Sequence, residues 1–455
     1  MSNINIKYLK KQAYIASDAE FIECVSLYKK IHKHIMNSSH LNSLVRKVKK
    51  KRKLVYKQKN LKSDKVSKYI KKENELLNYL YPKRKTKWIA VSKRKKRLLH
   101  SQNIENFSLI DAPVETVQNL YLLAKQETRC SINCYDLNFK DSTIYDIAPY
   151  IILEDMMNEM VPFVRGGIIH RHLSQVIKAL KLDGYLNTNA EAVDKNISAM
   201  ELMKKEYDNK NDPVDIDKRD VVASKMCKKF NEWLDRLDPE IKLKLSDKGE
   251  RTFLNIIGEV LENAEKHAYP DKGSHAGKWS VSCFMEFDKN NNSHKCCLSF
   301  FNKGQTIAQT IQNTTNIKTK QELSRYLEKH KHIDKDLLST VFALQDWNSR
   351  ENTSDSRGGL GMMHMVHFIQ EIGKNVDAEK QPKIVILSGR SYVKFSGKYM
   401  NTNYDNTGKR YQWFNTENSS LVAPDNNNVF CLHSGIAGTI VTSRFYLDRG
   451  MLIHG

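Results

Sequence analysis

Residues 46–97 carry 23 Lys/Arg against three acidic side chains, Asp64, Glu73 and Glu75. So many like charges cannot pack into a core of their own, because compaction without counter-anions raises self-repulsion. The segment therefore divides the chain. Of the formal net charge of +22, residues 1–97 account for +23, and the other 358 residues for −1, with 45 basic and 46 acidic groups. The body that folds is near neutral and follows the basic segment. The full length of 455 residues suggests about two or three domains.

Several classes fall away at once. No run of about 18 apolar residues exists, which excludes a helical membrane span. The first residues are polar and lysine-bearing, without the apolar stretch of a secretion signal, so a cytoplasmic protein is expected. The eight cysteines include no Cys-x-x-Cys pair and read as inert thiols in a reducing compartment.

The organisation follows from apolar periodicity. Residues 1–105 read as a basic, largely helical arm, with a mildly amphipathic helix over 1–42. Two apolar clusters, one of Leu76, Leu77, Tyr79, Leu80 and Tyr81 and one of Trp88, Ile89, Ala90 and Val91, argue against a wholly disordered tail. Residues 106–190 alternate a strand (131–137) with helices (152–160 and 176–180), as a small α/β domain does. Residues 191–221 are polar and read as a linker. Residues 222–455 form the main body. A helix over 222–237 opens it, two strands at 279–287 and 296–301 flank an Asn-rich turn, and two more strands fall at 383–389 and 438–446. The fold class is α/β.

The chemistry concentrates in this body. Residues 259–267 read Glu-Val-Leu-Glu-Asn-Ala-Glu-Lys-His, placing Glu259 and Asn263 at i and i+4 on one helix face. Residues 357–361 read Arg-Gly-Gly-Leu-Gly and run into a helix over 362–372. A carboxylate can orient a water, an amide oxygen can hold a hard cation, and a helix N-terminus can receive phosphates. Together these are the parts of a site for ATP with Mg2+.

In order, Glu259-x-x-x-Asn263-Ala264, Gly358-Gly359-Leu360-Gly361 and Gly438-Thr439 resemble the motifs of the GHKL (Bergerat-fold) ATPases. That family includes gyrase B, the ninety-kilodalton heat-shock chaperones and the histidine kinases. The stretch from Asn263 to Tyr269 is most similar to histidine kinases and to bacterial anti-sigma-factor serine kinases. The resemblance spans about residues 222–448 and implies a two-layer α/β sandwich with a mixed sheet. It implies Asn263 as the Mg2+ ligand, Glu259 as the group that orients the attacking water or an acceptor hydroxyl, and Lys266 on a phosphate. It places His267 on the nucleotide-site helix. Gly358, Gly359, Leu360, Gly361 and Met362 then form the phosphate turn and helix start, Arg350 and Arg357 lie in the lid, and Thr439 sits near the adenine. The usual Asp-x-Gly-x-Gly is replaced by Asn302-Lys303-Gly304-Gln305-Thr306. Asn302 keeps an acceptor oxygen for the adenine amino group but loses the charge. The middle segment is similar in pattern to the STAS-like domains that precede bacterial GHKL modules, which implies a protein partner. Ser142 and Thr143 stand where such domains carry a regulatory hydroxyl.

The basic segment points to nucleic acid, since each phosphate contact releases a counterion. Tyr56, Tyr69, Tyr79, Tyr81 and Trp88 are interspersed and suited to stacking on single-stranded bases. The whole then reads as a nucleotide-driven conformational switch, a homo-oligomer or part of a multi-component complex, consistent with a bacterial antiviral defence or mobile-element system. Two rivals are a serine/threonine kinase acting on a STAS-like partner and a non-catalytic nucleic-acid scaffold with a degenerate nucleotide fold.

Overall fold

A computed structural model describes residues 68–70, 74–84, 87–89, 98–128, 132–141, 143–160, 174–182, 196–205, 217–237, 244–267, 278–288, 293–345, 360–373, 377–401, 403–406, 408 and 410–447. In chain order the strands are β1 (Lys68–Ile70), β2 (Lys87–Ile89), β3 (Leu98–Ile104), β4 (Ile132–Phe139), β5 (Ile197–Ala199), β6 (Met203–Lys205), β7 (Lys278–Asp288), β8 (Ser293–Lys303), β9 (Lys383–Phe395), β10 (Asn403–Tyr404), β11 (Arg410–Tyr411) and β12 (Val429–Leu447). The helices are α1 (Glu75–Leu80), α2 (Pro113–Thr128), α3 (Ala148–Met160), α4 (Ser174–Ala179), α5 (Asp217–Leu237), α6 (Asp247–His267), α7 (Ile307–Gln312), α8 (Ile317–Lys329), α9 (Lys335–Ala343) and α10 (Leu360–Ile372).

One six-stranded sheet organises the molecule, in the order β5-β7-β8-β12-β9 with β6 also paired to β7. Every pairing in it is antiparallel, where a mixed sheet was expected. The parallel ladder among the described strands is β3 with β4, outside this sheet. Successive side chains of a strand face opposite ways, and here both faces are buried. Cys296, Leu298 and Phe300 of β8 enter a core shared with α5, α6 and α10. Their neighbours Cys297 and Phe301 enter a second core shared with α1 to α4. Helices therefore cover both faces, giving three layers instead of two.

Helix α6 shows why its residues fold as they do. Phe253, Ile256, Ile257, Val260, Leu261 and Ala264 recur at helical spacing and are buried as one stripe. Helices α7, α8 and α9 start on side-chain caps. Thr306 and Gln309 form a reciprocal capping box, and Asn316 and Asp334 accept from the first-turn amides of α8 and α9.

The sequence-based boundaries shift in two places. Residues 191–221, read as a linker, supply β5 and β6 to the sheet edge. These strands have three residues each, too short for a period to show. The segment read as a basic arm supplies α1, whose Leu76, Leu77 and Leu80 are at most 2% exposed in the second core. The Ser434 hydroxyl of β12 donates to the Leu80 carbonyl at 3.0 Å, fixing the helix end. The middle segment shares this core with the sheet and is tied to it by polar links. Asp155 pairs with Lys303, and Glu154 with Lys204. Arg444 Nη2 donates to Asp111 at 2.7 Å, and the Tyr392 hydroxyl to the Leu109 carbonyl at 3.0 Å. The helix expected over 1–42 lies outside the described residues.

Candidate nucleotide site

A row of four residues crosses the sheet at one end. Trp279 on β7 stands opposite Asn302 on β8, Asn302 opposite Thr439 on β12, and Thr439 opposite Ser388 on β9. Thr439 and Ser388 share a hydrogen bond of 2.7 Å, and the Ser388 hydroxyl also accepts from the Ile307 amide at 2.8 Å. By strand alternation the row faces the layer of α5, α6 and α10. Two glycines beside the row adopt backbone that L side chains rarely take. Gly304, just beyond β8, has φ +123. Gly438 has φ +97, and a Cβ there would lie 2.0 Å from the Asn302 carbonyl oxygen. Within the row, the Asn302 side-chain oxygen is buried without a hydrogen-bond partner. A buried acceptor of this kind costs stability unless a donor reaches it.

Helix α6 meets the same end of the sheet. Glu265, 2% exposed, accepts from the Trp279 indole at 2.9 Å and pairs with Lys205 at 2.9 Å. These contacts pin the C-terminal turn of α6 beside the row. On another side of the helix, Glu259 lines a cleft of about 800 Å³ with Asp220, Glu262, His367, Phe368 and Arg410. That volume lies within the range of small-molecule sites. Burial pushes the Glu259 carboxyl above its ordinary range and the Glu262 charge adds to this, while Arg410 opposes it. A raised carboxyl suits a proton acceptor working near neutrality.

Asn263, one turn beyond Glu259, is exposed and lies outside the cleft lining. At about 100° per residue it falls on the arc of the helix that carries Thr252, Asn255 and Glu259. The backbones of Lys266 and His267 complete α6, and their side chains lie outside the described residues. Leu360 and Gly361 begin α10, and Met362 is half-buried against the first core. Arg350, Arg357, Gly358 and Gly359 lie outside the described residues.

Some residues at the site give no signal in the sequence. Arg410 sits in a polar insertion between β9 and β12, far from every motif. Its guanidinium lies 5.8 Å from the Tyr404 ring. Two residues on, Gln412 and Gln345 exchange two bonds. The Gln412 amide donates to Gln345 Oε1 at 2.9 Å, and Gln345 Nε2 donates to the Gln412 carbonyl at 3.0 Å. On the opposite sheet face, the Thr143 hydroxyl donates to Glu286 at 2.9 Å and accepts from Lys295 at 2.8 Å. Ser142 lies outside the described residues. Cys227, Cys283, Cys296, Cys297 and Cys431 are free, and burial holds their thiols well above their ordinary range.

Comparison with family models, with curated proteins and with solved structures finds no match, so the site is argued on its own chemistry.

Proposed function

We propose that this chain binds Mg-ATP on the α6 side of the sheet and acts as a nucleotide-driven switch of the GHKL type, with residues 46–97 engaging nucleic acid. The observation that carries the reading is the buried, partnerless oxygen of Asn302, set in register with Thr439 on the sheet face covered by α6. An adenine amino group is a donor that satisfies such an oxygen. Asn263 offers an uncharged oxygen ligand for Mg2+ on exposed helix surface, and the raised carboxyl of Glu259 is matched to orienting a water. When bound, the metal neutralises charge on the phosphates. Among the described residues, the Asn302 oxygen, Glu259 and the exposed Asn263 are what support this reading. The STAS-like layer is the part assigned to a protein partner, and closure around nucleotide is the step assigned to assembly.

Equilibrium titration of the full chain with ATP, with and without Mg2+, tests the reading. The wild type binds with Mg2+, and Asn263→Ala loses that dependence. Equal affinity in both proteins overturns it. The likeness of residues 263–269 to anti-sigma-factor kinases favours a second reading, phosphoryl transfer to protein. Label from γ-labelled ATP then appears on protein instead of as free phosphate.

A further inference from the structure

We propose that Tyr81, Tyr121 and His433 form a stacking surface for single-stranded nucleic acid on the folded body. This rests on the nucleic-acid reading of residues 46–97 and extends it to two residues outside that segment. The three rings come from three elements. Tyr81 caps α1, Tyr121 lies on α2 and His433 on β12. The centroids of Tyr81 and Tyr121 stand 5.7 Å apart at 70°, and those of Tyr121 and His433 5.3 Å apart at 73°. Edge-to-face contacts of this kind hold rings in place. The two tyrosines are half-buried and His433 is exposed, so the row reaches solvent. Bases stack on such rings whatever their sequence, once they are free of a duplex.

The row is fixed from behind. The hydroxyl of Ser434, next to His433, donates to the carbonyl of Leu80, next to Tyr81. The Tyr81 amide donates to the Leu77 carbonyl at 3.0 Å, and its side chain packs against the second core. Cations accompany the rings. Lys125 Nζ lies 5.6 Å from the Tyr121 centroid. Lys83 is exposed two residues beyond Tyr81, and the exposed Arg390 donates through Nε to the Leu432 carbonyl at 2.9 Å. Residues 83–97 hold nine Lys/Arg and no acidic residue. Phosphates drawn to these charges bring their bases to the rings. Tyr79, which the sequence also suggests for stacking, is turned elsewhere. Its hydroxyl lies 2.8 Å from where a Gly389 Cβ would stand, near Asp334, Asp336 and Arg390.

The test is fluorescence anisotropy of the full chain with a labelled oligodeoxythymidylate and with a duplex of equal length, at several salt concentrations. Tyr121→Ala weakens single-strand binding roughly 5- to 100-fold, the loss of one stacked base, and duplex binding less than about twofold. The slope of log K on log salt stays that of wild type, because no phosphate contact is removed. His433→Ala gives a loss of the same sign. Tyr121→Phe keeps the ring and binds as wild type does. Unchanged single-strand affinity in Tyr121→Ala overturns the proposal, and so does an equal loss on both nucleic acids. Where Tyr121→Ala does not fold, judged by thermal melting, the exposed His433 decides through His433→Ala by the same comparison. A wild type that binds neither nucleic acid overturns the reading of residues 46–97 itself. Salt-sensitive binding that Tyr121→Ala keeps in full removes the ring surface alone and leaves the role of the basic segment standing.

Discussion

Asn302 and Thr439 stand directly opposite each other on neighbouring antiparallel strands, although a large part of the chain separates them in sequence. Two residues picked out for one ligand are thereby brought side by side on one face of the sheet. Their pairing needs the missing side chain of Gly438 at the crossing.

That crossing yields a prediction. Gly438→Ala adds a Cβ against backbone that has little room to retreat, at a φ that L-residues avoid. The cost is roughly 2 kcal/mol or more, read as a lower urea midpoint, with nucleotide binding weakened alongside. Unchanged stability would contradict the close approach of β12 to Asn302.

Glu259→Gln removes the carboxylate and keeps the shape. Phosphate release falls about 10²- to 10⁴-fold, as for loss of a general base, while affinity for ATP stays within a few-fold. Asn263→Ala loses Mg-dependent affinity instead. Equal turnover in Glu259→Gln and wild type, measured by phosphate release, would remove Glu259 from the chemistry.

Truncation separates the basic segment from the core. Removing residues 1–67 deletes 17 Lys/Arg and spares α1. Residues 68–97 keep 12 of the 23 Lys/Arg of the basic segment, so nucleic-acid affinity then loses about half of its dependence on salt, since the slope of log K on log salt follows the number of neutralised phosphates. Removing residues 1–97 also strips Leu76, Leu77 and Leu80 from the second core. Leu77→Ala alone costs roughly 3 kcal/mol. A fully stable 98–455 fragment would refute the placement of α1.

Asp111 and Arg444 give a pH dependence. Burial raises the Asp111 carboxyl, but the hydrogen bond and charge of Arg444 outweigh it and hold the pKa below its ordinary value. A depressed carboxyl contributes stability in full above its unfolded pKa and loses it as pH falls through the folded value. The gap in unfolding free energy between wild type and Asp111→Asn is therefore flat from neutral pH down to about 5 and narrows below about 4. A gap that widens in acid would refute the pair.

The body of the fold was legible wherever elements are long. Strands expected at 279–287 and 296–301 are Lys278–Asp288 and Ser293–Lys303, and the helix expected over 362–372 is Leu360–Ile372. In each, many apolar residues repeat one period. β3 escaped notice because Leu98–Ile104 joins a run of cations to polar residues, and it becomes a strand only through its pairing with β4. The role of α1 was hidden by its surroundings. Three leucines amid lysines show an apolar cluster, not the sheet that covers them. Arg410 was invisible for another reason. Its place depends on Tyr404 and on the Gln345–Gln412 bonds, which join distant segments without any repeating pattern.

Asn302 and Lys303 are consecutive and face opposite ways, one toward the layer of α5, α6 and α10 and the other held by Asp155 on α3. The partition between the two halves of the molecule is a single peptide unit thick at that point. A pull on α3 through Asp155 therefore reaches the backbone that carries the buried Asn302 oxygen across a single amide.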